Sequence, residues 1–308
     1  LQATWPVPGS VLVSNNEVTF TAGRSSFLSG GLYFYRLNAT TGEVLAHSLI
    51  FHVDPATEQQ LGPKETRFDG VGVVSDLLTS DGNAYFLKHL SLDRDGNESR
   101  STVPHLFSPT SLLDEEWFVR SYWTYAPSIL GAGYGGWAST ANANPAGRIL
   151  SVQGDRVYGY GRREPKGGRT GHRSNDYFLF AMKKEMGPAV TYVDKKGKKR
   201  KRQPAKQYIW QQEFPLTVRS MVATADTLFV AGVPNVGRRP QPIDPQKFPE
   251  KAQREEQENH RLRFENAGEA LGAFRGNQGA FIQAVSPEDG STLKAIPLDS
   301  MPVHDGMS

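Results

Sequence analysis

The residues best suited to chemistry sit in one stretch, Glu116 to Trp137, EWFVRSYWTYAPSILGAGYGGW. Trp117, Phe118, Tyr122, Trp123, Tyr125, Tyr134 and Trp137 crowd into it with a single guanidinium, Arg120, and a run of glycines. Aromatic faces beside one cation on pliable backbone suit a carbohydrate or a flat-ring ligand, held by stacking and cation–π contact. The ligand set this predicts is Arg120, Tyr122, Trp123, Tyr125, Tyr134 and Trp137. A second reading uses the same rings differently. Trp117, Val119, Tyr122 and Tyr125 also fit a strand that packs a seam between sheets, and buried aromatics serve packing more often than binding. Gly131, Gly133 and Gly136 spell G-x-G-x-x-G, but no strand-to-helix crossover surrounds them, which a dinucleotide fingerprint requires.

The strongest charge run is Lys195-Lys196-Gly197-Lys198-Lys199-Arg200-Lys201-Arg202. It has no interleaved aromatics and falls between Val190–Val193 and Tyr208–Gln211, so it reads as the solvated tip of a long β-hairpin. If it binds anything, Lys198, Lys199, Arg200, Lys201 and Arg202 would meet a polyanion. Nucleic acid is not the expected partner, because a formal charge of +3 over 308 residues is mild and binding by charge needs a patch. Asp93-Arg94-Asp95-Gly96-Asn97 has calcium-loop letters without the twelve-residue ligand spacing and closing glutamate of an EF-hand. Asp-Gly and Asn are also ordinary turn residues. The seven histidines show no metal spacing, and separation alone nominates no Ser/His/Asp set. With no cysteine there is neither a disulfide framework nor a thiolate site. No apolar run reaches the roughly 18 residues a membrane span needs. No catalytic residue and no metal ligand is predicted.

The elements that must position these groups are repeats. ILSVQGDRVYGYG, from Ile149, is an apolar strand, a Gly154-Asp155 turn and a second strand ending on glycine. The pattern recurs as VLVSNNEVTFTAG from Val11, DLLTSDGNAYFLK from Asp76 and SMVATADTLFVAG from Ser220. A third and a fourth strand follow: Leu32 to Leu37, then a turn through Gly42, in the first unit; His89 to Leu92, then the Asp93 turn, in the second. Ser286 to Leu293 repeats the Gly42 turn in the fourth unit. The period is about 70 residues, longer than the roughly 40–45 of a WD-type blade, as enlarged loops would make it. Four antiparallel strands repeated about an axis make a β-propeller blade, and each blade has an apolar face that only a neighbour covers. The predicted class is all-β, a propeller of about four four-stranded blades near 5–48, 68–125, 145–215 and 216–296. Insertions fall at 195–206 and 233–279, and Glu250 to about Glu265 is compatible with a surface helix, polar nearly all round. Residues 297–308 resemble the lead-in at Pro6–Ser10, so one further blade is expected to follow.

WPVPGSVLV, AGRSSFLSGGLYFYRLNATTGEV, SPTSLLDEEWFVRSYW and PAGRILSVQGDRVYGYGR resemble the pyrroloquinoline-quinone-like, quinoprotein-type propellers, in particular the PQQ-like repeat proteins abundant in planctomycete-type bacteria. The resemblance covers nearly all the chain outside the two insertions. It implies a seven- or eight-bladed propeller of which this is a segment, a periplasmic or otherwise extracytoplasmic place, and completion by the rest of a precursor or by another chain. It also departs from the family's dehydrogenases. The vicinal cysteine pair that covers the quinone is missing, and the blade-locking tryptophan four residues after the turn glycine is Ala46 in the first unit and Lys294 in the fourth. The expectation is therefore a non-catalytic scaffold or binding module with no cofactor. The alternative is part of a quinone-dependent dehydrogenase, which would need pyrroloquinoline quinone with calcium.

Overall fold

A computed structural model describes residues 5–59, 61, 73–108, 123–127, 144–162, 177–185, 190–202, 206–238, 246, 247, 249 and 262–303. The chain divides into two compact units, Leu1–Ala141 and Asn142–Ser308. In both, the described elements are antiparallel β-strands apart from one helix.

In the first unit β1 (Leu12–Ser14), β2 (Glu17–Ser25), β3 (Leu28–Asn38) and β4 (Val44–Ile50) form one sheet in sequence order. The β1–β2 hairpin turns on Asn15 and Asn16, both at positive φ (52° and 59°), the backbone that a two-residue turn matching strand twist demands. Between β3 and β4, Asn38 Oδ1 accepts the amides of Thr40 and Thr41 at 2.9 and 3.0 Å, which closes the turn predicted there. β5 (Thr79–Ser80), β6 (Tyr85–Leu87), β7 (Leu90–Leu92) and β8 (Glu98–Arg100) form a second four-stranded sheet. Its β7–β8 turn settles the acidic loop. The Asp93 carboxylate accepts the amides of Asp95 and Asn97 and the Asn97 side chain at 2.8 to 2.9 Å, bonds that hold it below the usual carboxylate range. Leu32, Phe34 and Ile50 of the first sheet pack with Leu78, Tyr85, Leu87, Leu90 and Leu92 of the second, so the apolar face of each covers the other. The opposite face of the first sheet carries rings in contact, Trp5 on Tyr33 at 4.8 Å and Phe20 on Tyr35 at 5.5 Å.

Beyond β8, β9 (His105–Phe107) pairs with β10 (Trp123–Ala126). His105 is buried and stacks on Phe86 at 4.3 Å. Burial pushes its pKa below the ordinary 6.5, outweighing the pull of the Val103 and Lys88 carbonyls. A histidine depressed in the folded state takes up its proton later than the unfolded chain does, so its stability contribution is full above about pH 6.5 and is lost as pH falls through the folded value. Denaturant melts should therefore show stability falling as the pH drops below about 6.5. A His105→Phe chain should lose less, and an identical pH slope in both chains would contradict this.

In the second unit β11 (Ala146–Gly147) precedes β12 (Ile149–Gln153), β13 (Arg156–Arg162), β14 (Tyr177–Lys183), β15 (Val190–Val193), β16 (Lys199–Arg202) and β17 (Tyr208–Glu213). The sheet order β12-β13-β14-β17 leaves β15 and β16 as a two-stranded hairpin of their own. This corrects the predicted path. The basic run is not the tip of a hairpin from Val190–Val193 to Tyr208–Gln211. Lys199–Arg202 is itself a strand paired with Val190–Val193, while the Tyr208 strand pairs with β14. The turn is Asp194–Lys198, with Gly197 at φ 75° and Asp194 accepting the amides of Lys196 and Lys198. Replacing residues 190–202 by a short turn should leave the melting temperature within a few degrees, as for an exposed loop. A large loss would make the hairpin structural.

The last sheet is β18 (Leu216–Ala223), β19 (Leu228–Pro234), β20 (Ala280–Val285) and β21 (Thr292–Leu298), with helix α1 (Ala267–Phe274) between β19 and β20. Its first strand is mostly buried and its fourth almost wholly exposed. Tyr158, Leu179 and Trp210 pack with Val218, Leu228, Val230 and Val285, so these two sheets also share one core. The helix differs from expectation. Residues 250–261 of the predicted surface helix lie outside the described residues, and Arg263 is extended, bridged to Arg238. The described helix starts later, at Asn266, whose side chain accepts the amides of Gly268 and Glu269 as an N-cap.

Candidate functional site

β18 carries a bulge between Val218 and Ser220, where Arg219 is the extra residue. Bulges re-aim a side chain, and here it is the one charged side chain of the strand LTVRSMVA. Arg219 is only 7% exposed. One amino group donates to the Phe274 carbonyl at 2.6 Å, the guanidinium lies 4.9 Å from the Phe274 ring centroid, and Nε has no partner. Its donation to the last residue of α1 supplies the cation that a helix C-terminus favours. Desolvation first, and then the charge of Arg148, lower its pKa.

Arg148 borders a cleft of about 210 Å³ beside this contact. Tyr160, Tyr177, Val218, Phe264 and Phe274 also line it. Tyr160 and Tyr177 stack at 5.2 Å, while the rings of Phe264 and Phe274 are half exposed at 47% and 50%. Among the described residues neither Arg148 nor Arg219 forms an ion pair. Glu265 and Glu269 are engaged elsewhere, with Arg238 at 2.9 Å and Gln278 at 3.4 Å. Arg148 on a largely apolar wall, with Arg219 behind it on Phe274 and no carboxylate among the described lining residues, can hold an anion.

The predicted ligand residues fare differently. Trp123 and Tyr125 lie on β10, Trp123 half-buried and Tyr125 buried, its phenol raised by burial and then by the charge of Asp81. Arg120, Tyr122, Tyr134 and Trp137 lie outside the described residues. In the basic hairpin, Lys198, Lys199 and Arg200 are exposed and Arg200 pairs with Asp194 at 3.0 Å, while Lys201 and Arg202 continue β16.

Folding also assembles a set that residue spacing could not nominate. His52 Nδ1 lies 3.0 Å from Ser26 Oγ, and Nε2 lies 2.9 Å from a Glu98 carboxylate oxygen. A nucleophile needs access and a free lone pair, whereas Ser26 is fully buried and its hydroxyl already accepts the Val73 amide at 2.8 Å. This set ties three segments together and is not poised for acyl transfer. Among the described residues no three His, Asp or Glu side chains gather as a group able to hold a metal ion. No helix among them is long and apolar enough to cross a membrane.

No protein-family profile and no curated protein matches the chain. Among solved structures it is similar to BamB from Moraxella catarrhalis, with 8% identity and a TM-score of 0.34, over 96% of this chain and 62% of that one. It is similar to a quinohemoprotein alcohol dehydrogenase from Pseudomonas putida HK5 at 12% identity and a TM-score of 0.26, over 96% and 47%. A europium-containing methanol dehydrogenase matches at 13% and 0.25, over 98% and 71%. The chain thus spans less than two thirds of the length of the first two. Likeness at these scores carries no argument about activity, and the architecture rests on the sheets themselves.

Proposed function

We propose that the chain is a non-catalytic binding module made of propeller-type blades, belonging to a larger propeller and working outside the cytoplasm. The blade reading is supported by meandering four-stranded sheets that share cores in pairs, and by the β18–β21 sheet, which grades from a buried first strand to an exposed fourth as a blade does from axis to rim. Completion by further blades, from the same precursor or another chain, and the extracytoplasmic place follow from the quinoprotein-type resemblance. Binding is carried by one observation, the cleft lined by Arg148 and half-exposed rings, with no carboxylate among its described lining residues.

Ligand-observed NMR with a panel of small acids, amides and sugars tests this directly. At least one compound should bind the full chain and fail to bind an Ala270→Trp variant, in which the indole fills the cleft from α1. A silent panel, or binding that Ala270→Trp leaves unchanged, would remove the cleft as the binding site.

A further inference from the structure

Resting on that reading, we infer that the cleft takes a small monocarboxylic acid, its apolar body against the rings of Phe264 and Phe274 and its carboxylate on Arg148. Charge, burial and size each narrow the choice. Arg148 is half-buried and has no acceptor among the described residues, while Arg219 beside it is nine-tenths buried with an unpartnered Nε. Two like charges partly removed from water disfavour each other, and the lowered pKa of Arg219 reports that repulsion together with its burial. An anion bound on Arg148 offsets that repulsion, and a carboxylate does so with the fork geometry a guanidinium presents.

The rest of the lining selects the ligand's body. Leu262, Phe264, Phe274, Val218 and Val236 offer apolar and aromatic surface, which a bare inorganic anion would leave unused. A volume near 210 Å³ admits something the size of one amino-acid residue. One lining arginine is also too little charge for a polyanion, for which the separate β15–β16 hairpin offers the better surface. One negative charge on a compact apolar group uses every feature present.

The probes are 3-phenylpropanoate, its amide 3-phenylpropanamide, and inorganic sulfate, titrated into the full chain at low salt and followed by ligand-observed NMR. The acid should bind at least about tenfold more tightly than the amide, the range expected for a charge-assisted bond. Arg148→Gln should weaken the acid by about the same factor and leave the amide unchanged. Among the described residues the Arg148 side chain bonds nothing, so this variant should keep the parent's thermal melt, which is recorded alongside. Arg148→Lys should restore part of the acid affinity by retaining the charge. Equal binding of acid and amide would overturn the carboxylate assignment while leaving the cleft as a binding site. Sulfate binding as tightly as the acid would overturn the part played by the rings. If acid and amide both bind but Ala270→Trp changes neither, the cleft reading fails and this inference with it.

Discussion

Putting alanine at Gly290 should destabilise the protein by about 2–5 kcal/mol, from two costs that act together. Gly290 has φ 79°, a left-handed backbone that costs a residue with a Cβ roughly 1–2 kcal/mol. An added Cβ would also sit 2.8 to 3.0 Å from three atoms of the Trp210 ring, closer than carbon atoms approach without displacement. The ring cannot simply step aside. Trp210 is buried on β17, its Nε1 donates to the Pro287 carbonyl at 2.9 Å, and the neighbouring Gln212 side chain donates to Gly290 itself. Arg156 adds a bond to the same Pro287 carbonyl at 2.7 Å and pairs with Glu288 at 2.9 Å. The turn between β20 and β21 is thereby docked onto the preceding sheet. Trp210→Ala should cost about 3–5 kcal/mol by emptying that contact. The double variant should lose less than the sum, by about 1 kcal/mol or more, because the steric part of the Gly290 cost vanishes with the ring while the φ cost stays. Urea melts of the four chains give the coupling directly, and strict additivity would mean that ring and turn do not hold each other.

That docking also shows where the sequence was legible and where it was not. Each predicted strand pair is present, as β1–β2, β5–β6, β12–β13 and β18–β19, because a short apolar run, a polar turn and a second apolar run leave little else for the backbone to do. Trp210 was invisible as the ring that holds this turn for a specific reason. The resemblance counts the tryptophan from a turn glycine, and in the third unit the β15–β16 hairpin stands where that turn would be. Only the pairing of β14 with β17 reveals that Trp210 occupies the fourth strand.

Helix α1 is a related case. AGEALGAF holds two glycines in eight residues and has weak propensity, so the polar, glycine-free stretch before it looked the better helix. The cap did carry a signal, since Asn266 stands three residues before Glu269, the spacing of a capping box. At the candidate site, a lone arginine inside LTVRSMVA is a charge in a buried strand and was readable as unusual. Its company was not. Arg148, Arg219 and Phe274 come from three distant segments and meet only through sheet pairing and a bulge.

The first unit performs the same docking with different residues, which leads to the second large effect. Gly96, at φ 82° in the β7–β8 turn, places the site of a Cβ 2.6 Å from Phe34 Cδ1 and closer still to the Ser48 hydroxyl. Ser48 donates to the Gly96 carbonyl at 2.7 Å, and Arg36 donates to the Arg94 carbonyl. Glu17 gathers both arginines, at 3.4 Å from Arg36 and 2.6 Å from Arg94. Here the large ring filling the seam is Phe34 on the third strand, fully buried and 5.6 Å from Tyr85 of the next sheet, where the second unit uses Trp210 on its fourth. Phe34→Ala should therefore cost about 3–5 kcal/mol, the range for truncating a buried aromatic in a close-packed core. Phe34→Leu, which keeps most of the volume, should cost about 1–2 kcal/mol, since conservative apolar exchanges are tolerated best. The exposed ion pair is the internal control. Arg94 is half exposed, and removing its side chain should change stability by less than about 1 kcal/mol, as surface pairs do. Chemical denaturation of the three variants ranks these terms. A Phe34→Ala loss no greater than that of Arg94→Ala would show that the two sheets of this unit are held together by something other than the Phe34 seam.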